Sequence, residues 1–208
     1  MKHEWRKHEK EYYLPKAVPK KISVPKFSFF TIAGKGNPND KAFGAFVEAL
    51  YTISYAVRMC TKNGFSPIDY CEYTVYPLEG VWDISDEAKK HATHGIIDKD
   101  TLVFELMIRQ PEFLTKELAF EILERTKIKK PHSLLSQIVF KEIEEGNCIQ
   151  MKHLGSFDTE PESFAKMEQF AIENGYKRKL LTHREIYLTD ARKTAPENQK
   201  TVLRFEIE

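Results

Sequence analysis

Near the carboxyl end of the 208-residue chain, His183, Glu185 and Tyr187 alternate with Arg184, Ile186 and Leu188. In a strand, a spacing of two puts the first three side chains on one face and the others on the opposite face. Ile186 and Leu188 suit a packed face, so Glu185 and Tyr187 share the other. A glutamate so placed can orient a water and take its proton, or balance a cation. A carboxylate beside a tyrosine on an open sheet face is either solvated surface or a pocket floor, and glutamate is seldom buried without a partner. No other cluster competes. His91 and His94 have no carboxylate or thiolate nearby and read as a solvated loop, so no metal site is expected. Gly34-Lys35-Gly36 lacks a phosphate-cradling pattern, so no nucleotide cofactor is expected either.

Composition sets the frame for that chemistry. Hydrophobic residues make 41% of the chain and charged residues 30%, the balance of an ordinary globular protein. A formal net charge of +1 gives no electrostatic reason to expect nucleic acid. No apolar run approaches the ~20 residues that span a bilayer, and Met1 to Arg6 lacks a signal-peptide core, so a cytoplasmic, non-membrane protein is expected. Cys60, Cys71 and Cys148 are scattered and read as reduced thiols. Aromatic residues reach 12%, which fits either a well-filled core or a cavity for a flat organic ligand.

The elements that must position Glu185 follow from patterning. Residues 1–25 are charged, broken by Pro15 and Pro19, and read as an arm with a short helix around Trp5 to Tyr13. Lys26 to Ala33 predicts a strand. Residues 41–62 predict a helix with Phe43, Val47, Leu50, Ile53 and Val57 inward and a second stripe of Tyr51, Tyr55 and Met59. Asn63-Gly64 closes it. Strands are predicted over 69–77 and 101–109. Thr115 caps a helix to about Lys127, and Pro131 starts another to Glu145. A strand over 148–154, a helix opened by Thr159-Glu-Pro-Glu162 as a capping box, and a hairpin of 182–188 with 200–208 complete the chain.

The order strand, helix, strand, strand therefore occurs twice. Residues 26–110 form the first repeat, 111–146 a helical insertion, and 147–208 the second repeat of one domain. Aligning Gly64 with Gly175 sets Thr74 against Glu185 and Tyr76 against Tyr187. Only the second repeat then has a carboxylate at that position, which favours a functional Glu185 at the seam between repeats. Arg109, Arg204, Glu105 and Glu206 read as structural ion-pair partners.

The sequence resembles the GyrI-like small-molecule-binding family, in particular its larger stand-alone members. The resemblance rests on Ala33-Gly-Lys-Gly-Asn-Pro-Asn39, Ala49-Leu-Tyr-Thr-Ile-Ser-Tyr55, Tyr76-Pro-Leu-Glu-Gly-Val-Trp82, Leu106-Met-Ile-Arg-Gln-Pro111, His153-Leu-Gly-Ser156, His183-Arg-Glu-Ile-Tyr-Leu-Thr-Asp190 and Thr201-Val-Leu-Arg204. These run in order across nearly the whole chain. The resemblance implies an α+β fold of two pseudo-twofold strand–helix–strand–strand modules, here with two extra helices between them. It also implies a site for lipophilic, aromatic small molecules, with Glu185 at the place of the family's buried glutamate.

Stand-alone members are similar to cyclopropanoid cyclopropyl hydrolases, which open the three-membered ring of DNA-alkylating natural products. On that reading Glu185 is the general base, Tyr55 and His153 are candidate donors to the developing phenolate, and Trp82, Tyr76, Tyr187, Phe30 and Met107 line the ligand site. No cofactor is implied. The other reading is a non-catalytic protein that sequesters lipophilic compounds or acts on a protein partner such as gyrase. The oligomeric state is left open, with a monomer compatible.

Overall fold

The computed structural model describes residues 2–85 and 98–208; His91 and His94 lie outside them. The fold is α+β with antiparallel strand pairing, and the chain divides into two compact units. Unit 2 holds Glu4–Lys26, Pro77–Val81 and Glu144–Glu208, and unit 1 holds most of the remainder. In chain order the elements are α1 (Trp5–His8), α2 (Lys10–Tyr13), β1 (Lys20–Val24), β2 (Phe27–Lys35), α3 (Lys41–Arg58), β3 (Leu78–Ile84), β4 (Leu102–Arg109), α4 (Lys116–Lys129), β5 (Val139–Ile143), β6 (Gly146–Leu154), α5 (Glu160–Glu173), β7 (His183–Tyr187) and β8 (Lys200–Glu206). The order strand, helix, strand, strand is present twice, as β2-α3-β3-β4 and β6-α5-β7-β8.

In unit 1, β2 pairs with β4 on one side and β5 on the other. The amphipathic α3 buries Val47, Leu50, Ile53 and Val57, at the spacing that puts them on one face. Its start packs aromatically: Phe43 stacks on Trp82 at 6.0 Å, and Phe104 meets Phe43 and Phe46 edge-on. Gly34 is required beneath them, because a Cβ there would lie 2.4 Å from the Phe104 ring. The other stripe of α3 faces outward, with Tyr55 47% exposed.

In unit 2 the strand order is β1-β6-β8-β7. The registers sort its side chains onto two faces. Ile149, Met151, Leu203 and Phe205 form a core with Met167 and Ala171 of α5. Gln150, Arg184 and Arg204 take the opposite face, where Arg204 reaches the Tyr12 carbonyl and Gln150 the Glu11 carbonyl. Glu185 pairs with Leu203 and so lies on the α5 side.

Five expectations are corrected. Residues 69–77 are not a strand: Tyr73 makes a single bridge to His3, and the next strand starts after Pro77. Pro77 cannot donate to a ladder, and Asp69 adopts φ 58°, so the alternating aromatics there sit in irregular chain. The glycine-based alignment of the repeats fails with it, because Glu79, not Thr74, lies in the middle strand of the first repeat.

The second inserted helix is likewise absent. Residues 133–137 form a 3-10 turn, and Val139–Ile143 is a strand on the edge of β2, where its β-branched residues fit a pleated surface. The arm includes two short helical turns and a strand, β1, that pairs with β6. Finally, Thr159 does not cap α5 with its side chain; its hydroxyl bonds the Ser156 carbonyl at 2.9 Å.

Candidate functional site

The polar face of β7 is buried. Glu185 is 8% exposed, and both of its oxygens are engaged by neighbours on its own face of the strand. The Tyr187 hydroxyl donates to Oε2 at 2.8 Å, and the His183 Nε2 lies 3.0 Å from Oε1. The period-two reading of this strand therefore holds. His183 is steadied by the edge-on ring of Phe164 at 4.6 Å, and Tyr187 by Phe157 at 5.9 Å.

A residue not singled out from the sequence completes the cluster. Glu160, the first residue of α5, points at Glu185 and is 6% exposed. Its Oε1 is buried without a hydrogen-bond partner. Burial first, then the charge and hydrogen bond of Glu185 and the charge of Asp158, push its carboxyl up to about 10. Glu160 therefore holds its proton at neutral pH. One oxygen each from Glu160 and Glu185 and a ring nitrogen of His183 lie within 4.8 Å of one another. The only sequence signal for Glu160 was its place at a helix start, which reads as capping.

His153 has a different role from the one expected. Its Nδ1 is 2.9 Å from the Ser163 hydroxyl, and its Nε2 is 2.9 Å from the Ser156 carbonyl and 3.2 Å from the Thr159 hydroxyl. Both nitrogens are committed to the turn between β6 and α5, which leaves neither for a developing oxyanion. His153 instead fixes where α5 begins, and hence where Glu160 stands.

The other expected residues lie in unit 1. Phe30 and Met107 have no exposed surface; Phe30 packs edge-on against Phe140, and both belong to the core and not to a ligand wall. Trp82 is buried in the cluster with Phe43 and Phe104. Tyr76 is buried beside Tyr73, with the Arg109 guanidinium 4.7 Å from its ring. Arg109 lies closer still to Phe27, at 3.3 Å, so stacking on aromatic rings is part of its environment. Tyr55 lies beside Tyr51 on the exposed stripe of α3. Glu105 and Glu206, expected to be structural ion-pair partners, pair with Lys141 and Lys179.

Behind the site, on the opposite face of β7, a second polar cluster is closed. Arg184 donates to Glu145 and Glu79, both at 2.8 Å, and Arg204 donates to Glu145 at 2.8 Å and to Gln150 at 2.9 Å. Burial alone would raise the Glu145 carboxyl, but Arg184 and Arg204 together overcome it and hold it below the usual range. Glu79 meets Arg184 alone at bonding distance, and burial wins there, raising its carboxyl. A cavity of about 40 Å³ adjoins Glu145, Arg184, Arg204 and His183.

No curated protein sequence matches the chain. A hydrolase encoded by lin2189 from Listeria innocua is similar in structure, with a TM-score of 0.90, 34% identity and full coverage of both chains. An uncharacterized conserved protein from the same organism superposes with a TM-score of 0.87 at 35% identity, over 99% of this chain and 100% of its own. The EcmrR C-terminal domain shares the fold, with a TM-score of 0.50 at 14% identity over 94% of this chain and 98% of its own. The GyrI-like small molecule binding domain profile matches residues 18–208, and the chain belongs to that family.

Proposed function

We propose that the protein binds lipophilic, aromatic small molecules and hydrolyses the cyclopropane ring of cyclopropanoid genotoxins, with Glu185 as the general base. The observation that carries this reading is a buried glutamate whose two oxygens are held by Tyr187 and His183. The relative from Listeria described as a hydrolase, at 34% identity over the full chain, supports a hydrolytic use of it. The residue types match the reaction. Water adds to a ring carbon, forming a C–O bond as the strained C–C bond breaks, and the electron pair moves to the conjugated oxygen as a phenolate. Glu185 takes the proton that water loses and returns it through solvent to the phenolate. Fixing the carboxylate beforehand is what a general base needs, and such a base contributes ~10²–10⁴-fold. Phe157, Phe164 and Tyr187 offer aromatic faces beside it, each ring contact adding ~0.5–1.5 kcal/mol beyond area burial.

The same charge could instead serve a non-catalytic sequestering protein, because a fixed carboxylate also balances a lipophilic cation. Glu185→Gln separates the two. Under the hydrolytic reading, a neutral cyclopropanoid still binds while single-turnover hydrolysis, read by mass spectrometry as the gain of one water, falls by ~10²-fold or more. Intact cyclopropanoid after incubation with the unaltered protein, together with weakened binding of a lipophilic cation by the variant, sinks the hydrolytic reading and leaves sequestration.

A further inference from the structure

We infer that Glu160, His183 and Glu185 form a binding site for a divalent transition metal of the zinc class. The three donors come from two elements far apart in sequence, the first turn of α5 and strand β7, and among the described residues they are the His/Cys/Asp/Glu group close enough to share an ion. Two observations together point to a ligand. Glu160 is held inside the protein with Oε1 unpartnered, an arrangement that is unfavourable unless something meets that oxygen. The donor atoms also already lie near the spacing of a shared ion.

Zinc takes nitrogen and oxygen donors at about 2.0–2.2 Å, which sets ligand atoms roughly 3.3 Å apart around a tetrahedral centre. The His183–Glu185 pair is at 3.0 Å, and all three donors fall within 4.8 Å, so shifts of at most about 1.5 Å bring the set to that spacing. One imidazole with two carboxylates suits zinc, cobalt or manganese better than magnesium or calcium, which prefer oxygen alone. Outer-shell support is present as well. Tyr187 holds the second oxygen of Glu185, and Phe164 fixes the plane of the His183 ring.

This inference does not rest on the proposed hydrolysis. A bound ion would take Glu185 out of use as a base, so zinc and hydrolysis would compete for one carboxylate. The test uses the full chain and no substrate: zinc chloride is titrated by calorimetry, and cobalt(II) by its visible absorption. The expected result is one saturable equivalent for the unaltered protein, with affinity at least ~10-fold weaker in Glu160→Gln and in His183→Gln. Circular dichroism melts without metal show which variants are folded, and Glu160→Gln, which keeps size and shape, preserves the test if His183→Gln is not. Absence of saturable binding overturns the inference. So does one-equivalent binding that the folded variants leave unchanged, since the ion then sits elsewhere.

Discussion

The two faces of β7 carry two buried polar clusters that differ in one respect. Behind the strand, Arg184 and Arg204 meet Glu79 and Glu145, so opposite charges balance and Gln150 and the arm's backbone carbonyls take the remaining donors. In front, Glu160 and Glu185 lie together with His183, and the Glu160 Oε1 has no hydrogen-bond partner. A balanced buried cluster is architecture: breaking it costs a great deal, and nothing remains for a ligand to satisfy. The front cluster keeps a buried oxygen that no protein group meets, and the proposed site is built on that difference.

Substitutions can break or sharpen that contrast. The largest effect is expected from Arg184→Met, which strands Glu79 and leaves Glu145 to Arg204 alone. Equilibrium urea unfolding should show a loss of about 3–5 kcal/mol, and an unchanged midpoint would remove the architectural role of the rear cluster. Glu185→Gln should lower single-turnover hydrolysis by ~10²-fold, about 2.7 kcal/mol of barrier, while its unfolding midpoint stays close to that of the unaltered protein. A variant as unstable as Arg184→Met would make Glu185 structural.

Tyr187→Phe deletes one donor to Glu185 and should cost ~0.5–1.5 kcal/mol in stability, with slower hydrolysis because the base is less firmly held. Glu160→Gln should move stability least, by under ~1 kcal/mol, since its amide nitrogen can replace the protonated oxygen as donor to Glu185 and the unpartnered oxygen stays as it is. A large loss there would mean that Glu160 is a structural member of the fold.

The contrast also shows what was legible in the sequence. Alternation along 183–188 was enough to put Glu185 and Tyr187 on one face, because strand periodicity is a local property. The helix over Lys41–Arg58 and its buried stripe were readable for the same reason, but it ends before the expected residue 62, and the left-handed Gly64 closes a separate 3-10 turn over Thr61–Asn63. What failed depended on partners distant in the chain. Val139–Ile143 is a strand because β2 offers it an edge, and residues 69–77 are irregular because no ladder receives them. Glu160 was hidden in the same way: its importance arises from Glu185, which tertiary packing alone brings to the start of α5. His153 was noticed, but its bonds to Ser156, Thr159 and Ser163 are features of a turn that spacing does not announce.

The register of β7 against β8 has a consequence for folding fidelity. Arg184 stands opposite Arg204 in the ladder, a like-charge pairing that is tolerable only because Glu145 bonds both guanidinium groups. A slip of one residue would turn every side chain of β7 to the other face. Glu185 would then face Glu79 and Glu145, the guanidinium of Arg184 would enter the apolar side against α5, and Ile186 would leave its buried position. Each misplacement is unfavourable, and they would occur together. The rear cluster thus acts as a proofreader of strand register, rejecting the misaligned hairpin before Glu185 can be set on the wrong side of the sheet.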